Sequence, residues 1–180
     1  MGEPPFNFIE NNTLENIIFI FIEYIYSFNQ HDLKMKSLLE AEPLAEIKTR
    51  LNALTPISER KWGKMEVAQM LHHCQHPLNV SLGKGNVKKQ FFPLAFLFKP
   101  LLYNDKPWKQ GLPTSKSFKV TDSKDFEVEK ATLGQLIDEF HTKKNETHWN
   151  PHPLFGKFTP QQWGQMQYKH LDHHFQQFGV

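Results

Sequence analysis

The segment from Thr159 to the end of the sequence constrains the fold most. Thr159, Pro160 and Gln162 open a helix with a hydroxyl N-cap, a proline at the first helical position and a glutamine that reaches back to the cap. Gly179 closes it. In between, Trp163, Met166, His170, His174 and Phe178 fall in one arc at about 100° per residue, while Asp172 and His173 fall outside it. A helix with such an arc must bury it against other elements.

Three further segments carry the same period. Residues 40–54 place Leu44, Ile47, Leu51 and Leu54 at steps of three and four, and Thr55-Pro56 ends the run. Residues 62–82 form a second helix beginning near Trp62 and stopping at Gly83. A third takes Asp122 or Ser123 as its N-cap and aligns Phe126, Leu133, Ile137 and Phe140. The spacing predicts an all-α chain, a four-helix bundle. The long stretch between the second and third helices is rich in Phe, Pro and Lys, with a short helix expected at 91–103, broken at Pro100, and an irregular loop at 106–117. A connection of that length permits a crossover between parallel neighbours, so a simple up-down-up-down order is not expected.

Residues 1–34 differ from the rest and read as an N-terminal extension before a bundle domain at 35–180, with Met35 an alternative start. No Lys or Arg occurs before Lys34, so the apolar run at 17–22 lacks the basic flank of a signal peptide. Glu15 and Glu23 bound it well short of the roughly 20 residues of a membrane helix. Phe6 stands where N-myristoylation takes Ser or Thr. No membrane anchor is expected, and the run reads as an added helix or strand docking its Ile/Phe face, or as a dimer contact. One cysteine, Cys74, allows no intramolecular disulfide and fits a reducing, cytoplasmic setting. With 21 Lys+Arg against 19 Asp+Glu there is no broad basic face for nucleic acid.

Ten histidines in 180 residues are roughly two to three times the usual share. His170 and His174, four apart, project together from the buried arc of the last helix, where Leu would give more stability. Their ring nitrogens need partners, and a metal ion is one way to supply them. The plain alternative is a pair of core histidines bonded to backbone carbonyls or to Gln167 and Gln177. A metal site also needs a third ligand. The second helix offers His72, His73 and His76, and it echoes the fourth: Trp62-Gly63-Lys64-Met65 precedes His72-His73 at the offset by which Trp163-Gly164-Gln165-Met166 precedes His173-His174. That alignment favours His73, keeps His72 as the fallback and leaves His76 on the surface. His148 and His152 lie in a Pro-rich stretch and read as structural; His31 and His141 read as solvent-exposed. Cys74 reads as core.

Together, Trp62-Gly-Lys-Met, Gln69-Met-Leu-His-His73-Cys, the segment from Lys106-Pro-Trp to Pro113-Thr, His152-Pro-Leu-Phe-Gly-Lys-Phe-Thr159 and the ending His170-Leu-Asp-His-His174-Phe-Gln-Gln-Phe-Gly179 resemble the DUF1569 family of the DinB/YfiT-like superfamily. The resemblance covers about residues 35–180. It implies a four-helix bundle of up-down-down-up topology and a divalent metal held by three histidines, which map onto His73, His170 and His174. It also implies superfamily relatives among thiol S-transferases and a thiol-dependent isomerase that use the metal to activate a low-molecular-weight thiol, without assigning DUF1569 a reaction.

Two functions follow as expectations. One is a metalloenzyme acting on a small-molecule substrate, by hydrolysis or thiol transfer, with zinc, nickel, iron or copper in the site. Gln69, Gln167 and Gln177 are then candidate supports for the ligands, and Trp108 or Lys88 of the long connection either covers the open side or packs on the bundle end. No carboxylate stands at an evident general-base position. The other is a non-catalytic metal-binding, ligand-binding or interaction bundle, for which the chain's 16 Phe residues speak.

Overall fold

Helices form where the period of three and four allows one face to be buried, and they stop where backbone chemistry or a tertiary clamp intervenes. The computed structural model describes residues 35–84, 95–111 and 118–180. The apolar run at 17–22, the proposed extension, His31 and Lys88 lie outside the described residues. The described part is mostly helical, with five α-helices: α1 (Ala41–Ala53), α2 (Val67–Ser81), the short α3 (Ala95–Phe98), α4 (Phe126–Thr142) and α5 (Pro160–Gln177). A 3-10 turn at Lys99–Leu102 follows α3 and contains Pro100. Among the described residues there is no strand, only an isolated bridge between His152 and Gly156.

The fourth sequence helix keeps its expected start. Thr159 Oγ1 accepts from the Gln162 N–H at 3.1 Å and Gln162 Oε1 accepts from the Thr159 N–H at 3.0 Å, so both halves of the capping box form. Two other starts move inward. α2 begins at Val67 rather than near Trp62, because the Lys61 N–H donates to the Gln177 carbonyl at 2.7 Å and Gln177 Nε2 to the Trp62 carbonyl at 2.8 Å. Gly63 turns there with φ +81, and a Cβ on it would collide with the Gln177 amide. The end of α5 thus holds residues 61–63 out of the helix, and the Trp-anchored echo between α2 and α5 is not an echo of structure at its first four positions. Gln69 Oε1 then accepts from the Glu66 N–H at 2.9 Å and closes the real start. α4 begins after Asp125, whose side chain accepts from the Val128 N–H at 2.9 Å, and not after Asp122 or Ser123. Asp122 is paired with Lys124 at 2.9 Å instead.

The core draws on all four long helices: Ile47 and Leu51 from α1, Met70, Leu71, Cys74 and Leu78 from α2, Leu133, Ile137 and Phe140 from α4, Trp163, Leu171 and Phe175 from α5. Cys74 is fully buried, as its core reading required; burial pushes its thiol up, and its Sγ lies 3.6 Å from Met70 Sδ. α2 packs most extensively along α4, and the two run the same way: Gln69 reaches Asp122, Gln75 reaches Glu129, and Lys84 pairs with Glu139. α1 and α5 also run together, through Tyr168 on Glu46 at 2.9 Å and Arg50 on Asp172 at 2.7 Å. α2 opposes α5, since Ser81 meets Gln167 while Trp62 meets Gln177. Lys48 with Asp138 and Lys130 with the Leu54 carbonyl make α1 oppose α4.

The segment before α5 is locked by His152. Its Nδ1 accepts from the N–H groups of Leu154 and Phe155 at 3.1 and 3.2 Å, so the ring is structural, as its Pro-rich setting suggested. Burial, with a smaller push from Lys99, lowers its pKa to about 4. An unfolded histidine takes up its proton near 6.5. The stability held by neutral His152 is therefore complete above about pH 6.5 and is lost as pH falls toward 4, amounting to about 2 kcal/mol at pH 5. Urea melts at pH 7 and pH 5 should show a loss larger by that amount in the wild type than in His152→Asn, whose amide oxygen accepts without titrating; equal losses would refute it.

Candidate metal centre

α2 and α5 cross so that three imidazoles meet. His73 comes from α2; His170 and His174 come from successive turns of α5. Ring centroids lie 5.1 Å apart for His73 and His170, 4.7 Å for His73 and His174 and 4.7 Å for His170 and His174. One ring nitrogen of each lies within 4.8 Å of the others, and all three residues are buried, so the group could hold a metal ion. The two α5 histidines sit on the arc expected of them, although that arc is not the helix's only buried face: Gln165, Gln167, Lys169 and Gln177 are buried as well.

The ring nitrogens are oriented from outside the cluster. His73 Nδ1–H donates to the Phe118 carbonyl at 3.0 Å, which leaves Nε2 unprotonated and turned inward. His174 Nδ1–H donates to Gln177 Oε1 at 2.9 Å. The Gln177 amide cannot be reversed without losing its Nε2 bond to the Trp62 carbonyl, so the clamp that shortens α2 also orients a histidine. His170 Nε2 lies 3.2 Å from His73 Nε2. Two nitrogens bound at about 2.0–2.1 Å to one tetrahedral ion lie roughly 3.4 Å apart, so this spacing fits a shared ion. Pro77 lies inside α2 and has no N–H to offer the carbonyl of His73, four residues earlier.

Electrostatics favour the neutral form of all three imidazoles. Burial lowers His73, opposed by its bond to Phe118; burial and the neighbouring His73 bring His174 down to about 3; burial, then His174 and His73, hold His170 well below its ordinary value. Neutral imidazoles are the form that binds metal.

The other histidines separate from this cluster. His72, the fallback, does not join it: its Nδ1 pairs with Glu129 at 2.9 Å. His76 is half-buried rather than on the surface, stacked on Phe118 at 5.4 Å, with its pKa lowered to about 4 by burial and then by His72 and His73. His141 is likewise half-buried, donating to the Leu38 carbonyl at 3.1 Å. His173 lies outside the ligand set but against Trp62, Trp108 and His174.

The long connection reaches the site. The Trp108 ring stands 5.7 Å from His170 and 5.8 Å from His173, and its Nε1 donates to the Leu101 carbonyl at 2.9 Å. Lys169 holds this segment from below. Its Nζ donates to the carbonyls of Leu101 and Asn104 at 2.8 and 3.0 Å and to Asn104 Oδ1 at 2.5 Å, while burial lowers its pKa to about 8.

Of the candidate supporting glutamines, Gln177 touches His174, Gln167 lies buried against Ser81, and Gln69 serves the start of α2. Two residues near the site escaped the sequence reading. Glu129 is buried beside His72 and Gln75; its place three residues after Phe126 and four before Leu133 puts it on the apolar stripe, a legible signal. Phe118 contributes only a backbone carbonyl, for which side-chain identity offers no signal.

No described helix is long and apolar enough to cross a membrane. No curated protein and no solved structure matches this chain. A family model described as a protein of unknown function, DUF1569, matches residues 27–179, from Ser27 and thus ahead of Met35, and the chain belongs to that family.

Proposed function

We propose that this protein binds a divalent metal ion through His73, His170 and His174 and uses it on a small-molecule substrate, by hydrolysis or transfer of a low-molecular-weight thiol. The observation that carries the reading is the inward convergence of three neutral, buried imidazoles, two of them fixed by acceptors on the far nitrogen. Outer acceptors of this kind set the tautomer and raise the basicity of a ligating histidine. Three protein ligands leave coordination positions open, and a divalent ion so held lowers the pKa of water or a thiol into the neutral range.

The chain's own groups divide the remaining work. Trp108 and His173 restrict water on one side, and Lys169 positions Trp108. Asp172 is engaged by Arg50 and faces away from the cluster. Glu129 is held by His72 and Gln75, which keeps that buried carboxylate off the three histidines. This last arrangement favours, as the second reading, a non-catalytic metal- or ligand-binding bundle.

The helix directions support a four-helix bundle domain at residues 35–180. With α1 and α5 running one way and α2 and α4 the other, the chain reads up-down-down-up, and the long connection joins parallel neighbours. That order, with one ligand from the second long helix and an H-x-x-x-H pair from the fourth, is what the DinB/YfiT-like resemblance implies.

Metal analysis of protein purified without a His-tag tests the site. Wild type should retain divalent ion near one equivalent, and His170→Ala should lose it, with an affinity loss beyond the roughly 10- to 100-fold typical of outer-shell changes. A folded wild type that binds no divalent ion would refute the proposal.

A further inference from the structure

The three histidines are not supported alike. His73 has the Phe118 carbonyl and His174 has Gln177 Oε1, whereas His170 Nδ1 is a buried atom with no hydrogen-bond partner. A second buried atom in α5 shares that condition: Gln167 Oε1. Gln167 is fully buried, and its amide orientation is settled at the other end, because Nε2 donates to Ser81 Oγ at 3.4 Å while that hydroxyl donates to the Leu78 carbonyl at 2.8 Å. Gln167 and His170 are three residues apart on one helix, which makes them surface neighbours.

The tautomers explain why both atoms are unpartnered together. With Nδ1–H of His73 given to Phe118, the 3.2 Å contact between the two Nε2 atoms requires the hydrogen to sit on His170 Nε2. His170 Nδ1 is then a lone pair, and it stands one turn from another acceptor, Gln167 Oε1. Neither can satisfy the other in that state. When His170 Nε2 gives its lone pair to a metal ion, the ring must carry its proton on Nδ1 instead: one proton leaves Nε2, one is taken up at Nδ1, and the ring stays neutral. A donor then stands one helical turn from the unpartnered acceptor.

We infer that Gln167 is the positioning residue of the metal centre, accepting the Nδ1–H of His170, directly after a side-chain rotation or through one water, and so completing a set of three acceptors behind three ligands. This rests on the metal reading above. Gln167 selects the metal-ready tautomer of His170, and in the metal-free protein its buried oxygen is a liability.

The signs of the two effects are therefore opposite, which a purely structural glutamine would not produce. Full-length, tag-free protein titrated with Co(II), followed by its visible d–d band, should bind about 10- to 100-fold more weakly as Gln167→Met. The same variant, metal-free, should melt no lower than wild type. Gln167→Glu, which keeps an acceptor oxygen in place, should recover most of the Co(II) affinity. Wild-type affinity in Gln167→Met would overturn the assignment while leaving the metal site standing. A lowered metal-free melting point in Gln167→Met, with no recovery in Gln167→Glu, would make Gln167 a packing residue and overturn it equally. Wild type that takes up no Co(II) would overturn both this inference and the metal reading.

Discussion

Addition of a divalent ion at a thousandfold excess over its Kd should raise the melting temperature by roughly 8–16 °C. A ligand that binds only the folded state stabilises it by about 4 kcal/mol at that excess, and a chain of this length gains about 2–4 °C per kcal/mol. The proposed ligands come from α2 and α5, 97 residues apart between His73 and His170. The unfolded chain cannot assemble them, so nearly all of the binding energy appears as folding energy. His174→Ala should keep a cooperative transition and lose the metal-dependent increment, because two nitrogens remain where three were needed. Differential scanning fluorimetry with Zn(II), Ni(II) and Co(II), each against chelator, reads the increment directly. An increment that survives His174→Ala would place the bound ion elsewhere.

Trp163→Ala should produce the reverse pattern, a loss of about 3–5 kcal/mol with the metal increment intact. The Trp163 side chain is fully buried, packs on Phe158 with centroids 4.9 Å apart, and donates Nε1–H to the Asn150 carbonyl at 3.2 Å. Its removal leaves a large cavity and an unpaired carbonyl at the N-terminal end of α5, where residues 149–158 are fastened to the helix. His170 lies seven residues on, about 10 Å along the axis. Denaturant melts measure the first effect, and the same fluorimetry with and without metal measures the second. If Trp163→Ala abolished the increment at a temperature where it is folded, the site and the core would be one unit rather than two.

The last helix was legible in its ends and in its histidine spacing, because what defines these is local. Its cap, its proline, its closing glycine and the His170–His174 spacing lie within one run of chain, and local rules decide them. α2 was legible in its apolar period but not in its start. Nothing within residues 61–66 reports that Gln177 will bind the Trp62 carbonyl and hold that turn open. The start of α4 moved by two or three residues for a similar reason, since Asp122, Ser123 and Asp125 are all acceptable caps and only the paired Lys124 withdraws Asp122.

The histidines divide along the same line. Spacing in the sequence was enough to put His170 and His174 on one buried arc, because a helix's period follows from its backbone. The helix period left His72 and His73 open and only the Trp-anchored offset favoured His73, since adjacent residues on a helix point about 100° apart and the neighbour that each meets belongs to another element. Tertiary packing made that choice by placing Glu129 beside His72 and the α5 pair beside His73. It also decided which nitrogen of His73 faces inward, through the Phe118 carbonyl, and which way the Gln177 amide turns toward His174, through the Trp62 carbonyl. Which residues face the interior was written in the period of the chain; the tautomers were set by two carbonyls, Phe118 on His73 and Trp62 on the Gln177 amide, that only the folded chain brings within hydrogen-bond reach.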